Sequence, residues 1–251
     1  MRVPLKVPLS TIAAWTIGFA PAPAMVGGAA PAASGVGRSI VIIAGARGNV
    51  CTGTALARDL VLTAAHCVTP ASTYTVFPAK GAAPIATRGI SVHPRYEPQS
   101  YANSRATADV ALIRLATALP AGIVAAELNR AASPVAVGEQ FVIAGFGTTA
   151  PSSDAGLGVP RTATLVVTGQ PGVLQIRLYD PATKGERPGL GACTGDSGGP
   201  AFRDGRVAGV VSWSTGPKLT IGCGGLTGVT PLVRYRDWLV QAAGKLGSPL
   251  P

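Results

Sequence analysis

Short, apolar and β-branched runs recur along the whole chain, and they constrain its fold more than any other feature. The runs at 39–45 and 60–63 are bounded by glycine or charged residues, as buried strands are. Similar runs follow at 74–77, 85–92, 110–115, 141–145, 161–168, 173–178 and 206–213. With 33 glycines and 22 prolines to form tight turns, this spacing predicts an all-β fold made of barrels or a sandwich.

The chain has 251 residues, which is enough for two small barrels. Residues 116–133 lack a strand pattern and are predicted to link two halves, at about 39–120 and about 134–231, with a cleft between them. After Pro231, apolar residues recur at helical spacing. This predicts a closing helix over about 231–245, with an apolar face formed by Leu232, Tyr235, Trp238, Leu239 and Ala242.

The N-terminal segment has the three parts of an export signal. Arg2 and Lys6 supply positive charge, an apolar stretch covers 9–20, and Ala22-Pro23-Ala24 has the A-x-A form of a cleavage site. No later stretch has the roughly 18 apolar residues of a membrane helix. We therefore expect a signal peptide over 1–24 and a secreted product, extracellular or periplasmic, with no membrane span. A membrane anchor is the alternative interpretation.

The charge distribution argues against one class of partner. The chain has 21 basic and 11 acidic residues, and removing Arg2 and Lys6 with the signal leaves 19 basic residues. These charges are scattered, without a basic run interleaved with aromatic residues. We therefore expect adsorption to acidic surfaces and no nucleic-acid binding.

Four cysteines in an exported chain predict two disulfides, for which three pairings exist. Spacing favours Cys51 with Cys67 and Cys193 with Cys223. A zinc site is the alternative, but the chain has no CxxC motif and only two histidines. We therefore expect no metal and no cofactor.

The segment Cys193-Thr194-Gly195-Asp196-Ser197-Gly198-Gly199-Pro200 places one serine among glycines. Glycines allow a substrate and backbone N–H groups to approach the Ser197 hydroxyl closely. The N–H groups of Gly195 and Ser197 are candidates for an oxyanion hole that binds the developing negative oxygen. The alternative interpretation is an ordinary glycine-rich turn.

A serine hydroxyl needs a base, and the base needs an acid that orients it. His66 follows a predicted strand and adjoins Cys67, which can hold it in place, whereas His93 is predicted to be structural. Asp109 opens Asp109-Val110-Ala111-Leu112-Ile113-Arg114-Leu115, where a strand enters the core. Other aspartates are predicted to be solvated, in turns or on a helix face: Asp59, Asp154, Asp180, Asp204 and Asp237.

The motifs TAAHC, DVALIRL and GDSGGP, in this order, resemble the trypsin/chymotrypsin family over nearly all of residues 25–245. The resemblance implies two six-stranded antiparallel Greek-key β-barrels with a C-terminal helix. It also implies a secreted serine endopeptidase with His66, Asp109 and Ser197 as the catalytic triad. Val211-Ser212-Trp213 resembles the family segment that pairs with the substrate backbone, and Ser212 is expected to bond Asp109.

The family also uses a free N-terminal ammonium, buried against the aspartate before the nucleophile, which is Asp196 here. Met25-Val26-Gly27-Gly28 resembles the family's IVGG start and follows the predicted cleavage site. We therefore expect Met25 to be the mature N-terminus, released by signal peptidase without a zymogen step.

Family positions also predict the primary specificity pocket. Its floor corresponds to Gly191 and its walls to Ser214 and Gly228. Because none is charged, the resemblance implies cleavage after uncharged residues, either aliphatic or aromatic. The chain departs from the family at Thr52, where glycine is usual, and at Phe146, where tryptophan is usual.

Two other functions remain as alternatives. A catalytically silent, cationic binding protein on the same scaffold is the first, although no triad residue has been lost. An α/β-hydrolase esterase is the second, but it would need G-x-S-x-G and the order Ser, Asp, His. The expected partners are protein or peptide substrates and protein inhibitors, and we expect a monomer.

Overall fold

The protein is described by a computed structural model covering residues 25–32, 35–68, 72–79, 81–100, 106–131, 133–169 and 173–250. The predicted signal peptide, 1–24, lies outside the described residues. Among the described residues, no helix is long and apolar enough to cross a membrane.

Six antiparallel strands close the first barrel in the order β2-β3-β4-β7-β6-β5. β5, β6 and β7 follow one another, and β4 lies beside β7, which is the Greek-key arrangement. The strands are β2 (Ile40–Gly45), β3 (Val50–Ala57), β4 (Leu60–Thr63), β5 (Tyr74–Phe77), β6 (Ile85–Val92) and β7 (Ala111–Leu115).

The second barrel repeats this order as β8-β9-β10-β13-β12-β11, and pairing of β8 with β9 and with β11 closes it. A two-residue strand, β1 (Ala30–Pro31), adds to β9. The six barrel strands are β8 (Gln140–Gly145), β9 (Arg161–Gly169), β10 (Ile176–Tyr179), β11 (Pro200–Arg203), β12 (Arg206–Ser214) and β13 (Leu226–Pro231). The prediction of two six-stranded antiparallel barrels is confirmed.

The C-terminal helix α1 (Arg236–Lys245) begins later than the sequence pattern suggests. Leu232–Arg234 form a separate 3-10 turn, and Tyr235 has φ −112°, so the α-helix cannot extend back through it. Leu239, Ala242 and Ala243 are buried and belong to the same core as the first barrel. The apolar face of the helix therefore packs against that barrel, next to β7.

His93 packs under this helix. Its ring lies edge-on to Tyr235 and Trp238, with centroids 4.9 Å apart in each case. Its Nδ1 accepts a hydrogen bond from the Arg95 N–H. This environment agrees with the structural role predicted for His93.

Candidate active site

A cleft of about 940 Å³ is lined by residues of both barrels, and it contains the predicted catalytic side chains. His66 and Asp109 come from the first barrel, and Ser197 comes from the segment that enters β11. Motifs that are far apart in the sequence therefore meet at one surface.

Local structure holds His66 beside the strand that precedes it. His66 lies in the 3-10 turn Ala65–Cys67, directly after β4. The structure contains the disulfide between Cys51 and Cys67, which ties this turn to β3. The other disulfide, between Cys193 and Cys223, holds the start of the serine loop.

Asp109 lies two residues before β7 and orients His66 through two hydrogen bonds. The His66 backbone N–H donates to Asp109 Oδ1 at 2.9 Å, and His66 Nδ1 lies 2.8 Å from Oδ2. The Ser212 hydroxyl donates to Oδ2 at 2.5 Å. The carboxylate is 5% exposed and the imidazole 34% exposed, so the acid is buried while the base faces the cleft.

This environment shifts the pKa of both groups toward their charged forms. Burial alone would raise the pKa of Asp109, but His66 and the Ser212 hydrogen bond lower it below its usual range. Burial lowers the pKa of His66, but the hydrogen bond and the charge of Asp109 outweigh it, so the pKa is raised. The pair is therefore suited to stabilise an imidazolium once a proton arrives.

When Nδ1 carries the proton donated to Asp109, Nε2 is left to accept another. Nε2 lies 3.8 Å from Cys67 Sγ. Within the described ranges, His66 and Ser197 share the cleft without a hydrogen bond between them. Catalytic hydrogen bonds are often long before substrate binds and tighten only in the complex.

Backbone contacts fix the Ser197 loop. The Ser197 carbonyl accepts from Thr52 N–H at 2.8 Å, and Gly198 N–H donates to Val211 O at 2.7 Å. Gly198 has φ +83°, and a Cβ there would overlap Thr63 Oγ1. Glycine is therefore required directly after the serine.

The two candidate oxyanion donors are backbone N–H groups that make no hydrogen bond within the described part of the protein. Across the part of the chain that the structure describes, neither Gly195 N–H nor Ser197 N–H donates an internal hydrogen bond. Gly195 has φ +93°, a conformation that glycine adopts most readily. Both N–H groups are thus free to bind a substrate oxygen.

Asp196 is fully buried and turned away from the cleft. Its Oδ1 accepts from Gly147 N–H and its Oδ2 from Cys193 N–H, both at 2.8 Å. Burial raises its pKa to about 7, although the two N–H donors act in the opposite direction. No cationic side chain pairs with it among the described residues. Met25 is buried in the second-barrel core, and Val26 forms a β-bridge with Gly191.

Of the predicted pocket residues, Ser214 lines the cleft, whereas Gly191 and Gly228 are buried and are not among its lining residues. A Cβ at Gly228 would overlap the Trp213 indole, whereas a Cβ at Gly191 would lie 3.4 Å from Gly224 Cα, an ordinary contact. The Ser214 hydroxyl donates to Gly222 O at 3.4 Å. β11 pairs with β12 only as far as Val210, so Trp213 and Ser214 pair with β13 on one side alone.

One prediction about a surface aspartate is wrong. Asp180 is buried. Its carboxylate is satisfied there by two hydrogen bonds of 2.9 Å, from Ala182 N–H to Oδ1 and from Leu190 N–H to Oδ2. These bonds hold the turn that leads into Gly191. Its position, directly after a strand and before a glycine-rich turn, is the sequence feature that could have indicated a carboxylate bonded to that turn.

Thr52, a departure from the family's usual glycine, is also part of the site, although its neighbours in the sequence do not indicate this. Its hydroxyl is hydrogen-bonded to Gly195 O and to Phe146 N–H. Cys51, His66 and Cys67 lie close enough together to resemble metal ligands. The two sulfurs form a disulfide and offer no thiolate, so this cluster does not fit a metal ion.

Comparison with known proteins gives concordant results. A family model described as Trypsin matches residues 26–239. Snake venom serine protease rhinocerase 4 of Bitis rhinoceros is 27% identical over 219 residues, covering 82% of this chain and 83% of that protein. Trypsin alpha-4 of Lucilia cuprina is 28% identical, covering 78% of each. The structure of human heparin binding protein covers 90% of this chain and 99% of its own at 22% identity, with a TM-score of 0.68. This last likeness concerns the fold alone.

Proposed function

The chain belongs to the trypsin family of serine proteases. We propose that it is a secreted endopeptidase that cleaves after uncharged residues, and that Ser197 is its nucleophile. The observation that carries the proposal is the chain of contacts from Ser212 through Asp109 to His66, in the cleft that Ser197 also lines. Serine endopeptidase activity is shared with the venom and insect relatives.

In the proposed reaction, Ser197 Oγ attacks the scissile carbonyl carbon while His66 Nε2 accepts the hydroxyl proton. The carbonyl oxygen becomes an oxyanion, stabilised by the N–H groups of Gly195 and Ser197. His66 then donates its proton to the leaving amine, and the C–N bond breaks to give an acyl-enzyme. Water, deprotonated by His66, releases the acid and restores Ser197.

A direct test is mass spectrometry of the purified protein after reaction with a fluorophosphonate. We expect one adduct per chain, on Ser197, because only an activated serine reacts readily. Hydrolysis of a peptide library by the same sample would follow. An intact, folded protein that forms no adduct would favour the alternative of a silent cationic binding protein.

The cleft supports a preference for uncharged substrate side chains. Of the described residues that line it, none is lysine or arginine, and Asp109, already paired with His66, is the one acid. Leu219 and Ile221 lie on its rim, 68% and 105% exposed. Apolar side chains would thus meet apolar surface, whereas arginine would find no free carboxylate.

We predict that Gly228→Ala lowers kcat/KM by about 10-fold or more. A Cβ at Gly228 must displace the Trp213 indole, and that movement would disturb segment 212–214, which binds substrate in this proposal. Gly191→Ala is the matched control, because its Cβ finds room, so we expect it to alter side-chain preference more than overall rate. Rates on a peptide panel would decide this, and equal effects of the two substitutions would contradict it.

We further propose that the mature chain begins at Met25, whose ammonium would pair with Asp196. The supporting observations are the burial of Met25 and the absence of any cationic partner for Asp196 among the described residues. An ammonium beside Asp196 would lower the pKa of that carboxyl from about 7. The same pairing would raise the pKa of the amine above its usual value near 8.

These groups predict a bell-shaped pH profile. Activity should rise with pH through the raised pKa of His66, because only the neutral imidazole accepts a proton. It should fall as pH passes the raised pKa of the ammonium, since a cation's pairing is present below that pKa and lost above it. A chain extended by one residue before Met25 is the control. Equal alkaline limbs for the two forms would contradict the proposed ammonium pairing.

A further inference from the structure

The Thr52 side chain lies at the junction of the two barrels, at a position where glycine is usual in the family. It is fully buried on β3 of the first barrel. Its hydroxyl donates to Gly195 O at 2.8 Å and accepts from Phe146 N–H at 3.1 Å. A glycine at this position could make neither bond.

The acceptor and the donor belong to two segments that meet around Asp196. Gly195 carries one proposed oxyanion N–H, and Phe146 precedes Gly147, whose N–H binds the Asp196 carboxylate at 2.8 Å. These segments also touch directly, because a Cβ at Gly195 would lie 3.1 Å from Gly147 Cα. One hydroxyl therefore connects both segments to a rigid strand.

The hydrogen bond to the Gly195 carbonyl restricts a residue that has no side chain to limit its backbone conformation. Glycine at φ +93° can rotate more freely than any other residue. Holding its carbonyl limits rotation of the residue that carries the oxyanion donor. Catalysis by such donors depends on their being oriented before charge develops.

We propose that Thr52 is a positioning residue that orients the Gly195 N–H through its hydroxyl. The proposal rests on the proposed protease function. The hydroxyl is suited to this, since it has one proton to donate and lone pairs to accept. Both partner groups are buried, so losing it would leave them unpaired.

The test compares Thr52→Val, which keeps the shape and removes the hydroxyl, with Thr52→Ser, which restores it. Thr54→Val is the matched control. Thr54 lies two residues along β3 and is equally buried, but its hydroxyl has no hydrogen-bond partner among the described residues. All three substitutions can be compared for kcat, KM and affinity for a peptide aldehyde, whose adduct with serine places an oxyanion in the hole.

For Thr52→Val we expect kcat to fall about 10- to 100-fold, less than the roughly 100- to 1,000-fold for losing a donor itself. KM should change little, and aldehyde affinity should weaken in parallel with kcat. Thr52→Ser should recover most of the loss, and Thr54→Val should match the wild type. If Thr52→Val does not fold, Thr52→Ala serves in its place.

A merely structural role predicts a different pattern: Thr52→Val would lower the melting temperature while the folded fraction kept its kcat and aldehyde affinity. That result, or an equal loss in Thr54→Val, would overturn the proposal. Failure of the wild type to react with a fluorophosphonate would instead overturn the proposed function. The two failures are therefore distinguishable.

Discussion

Replacement of Ser197 by alanine is expected to abolish fluorophosphonate labelling and to lower kcat by about a millionfold. The methyl group cannot attack a carbonyl, so no acyl-enzyme forms and the carbon–nitrogen bond must be hydrolysed without it. The fold should persist, because the contacts that hold this loop are made by the Ser197 backbone carbonyl and by Gly198 N–H. Peptide binding should therefore remain measurable.

The matched control is Ser152→Ala, which changes an exposed serine that lines the same cleft. Its labelling and peptide hydrolysis should equal those of the wild type. Stopped-flow hydrolysis and intact-mass analysis of both variants give the comparison. Peptide hydrolysis that survives in Ser197→Ala would reject Ser197 as the nucleophile.

Asp109→Asn is expected to lower kcat by about 10,000-fold, which is the loss known for the same substitution in the family's template triad. The asparagine amide would donate to His66 Nδ1, so the imidazole proton would move to Nε2. Nε2 could then no longer accept the Ser197 proton. Removing the carboxylate also removes the charge that raises the pKa of His66, so any residual activity should persist to lower pH.

Ser212→Ala provides the comparison for Asp109→Asn. It removes one of the hydrogen bonds to Asp109 but leaves both contacts between Asp109 and His66. We expect a loss of about 10- to 100-fold, in line with a single hydrogen bond to a charged group. Similar losses in the two variants would contradict the role assigned to the Asp109 carboxylate.

Local patterns predicted nine of the twelve barrel strands, but none of the predicted runs covers β3, β11 or β13. β11 has only four residues and begins with proline, and glycine interrupts the apolar pattern of β3 and β13. The runs at 39–45 and 60–63 correspond to β2 and β4, and the three candidate triad residues, each in its own motif, line one cleft. The order in which strands close each barrel depends on pairing between distant residues, which periodicity does not encode. It came from the family resemblance instead.

Burial in the tertiary structure explains what the sequence patterns missed. Leu232 and Tyr235 are both buried and lie three residues apart, a spacing that fits an α-helix and a 3-10 turn equally. The apolar pattern therefore predicts a helix that begins before Arg236, the first residue of α1. Asp180 has the composition of a surface turn, yet its carboxylate binds two N–H groups of that turn. Thr52 gives no local signal, because its partners lie 94 and 143 residues away.

The division of the site between two barrels has a consequence for biosynthesis. A ribosome completes His66 and Asp109 long before it adds Ser197, and β12, whose Val211 carbonyl accepts a hydrogen bond from Gly198 N–H, follows later still. N-terminal segments can begin to fold while the rest is being made. A growing chain therefore contains the candidate base and the acid that orients it but not the candidate nucleophile, so the candidate triad is complete only when translation is nearly finished.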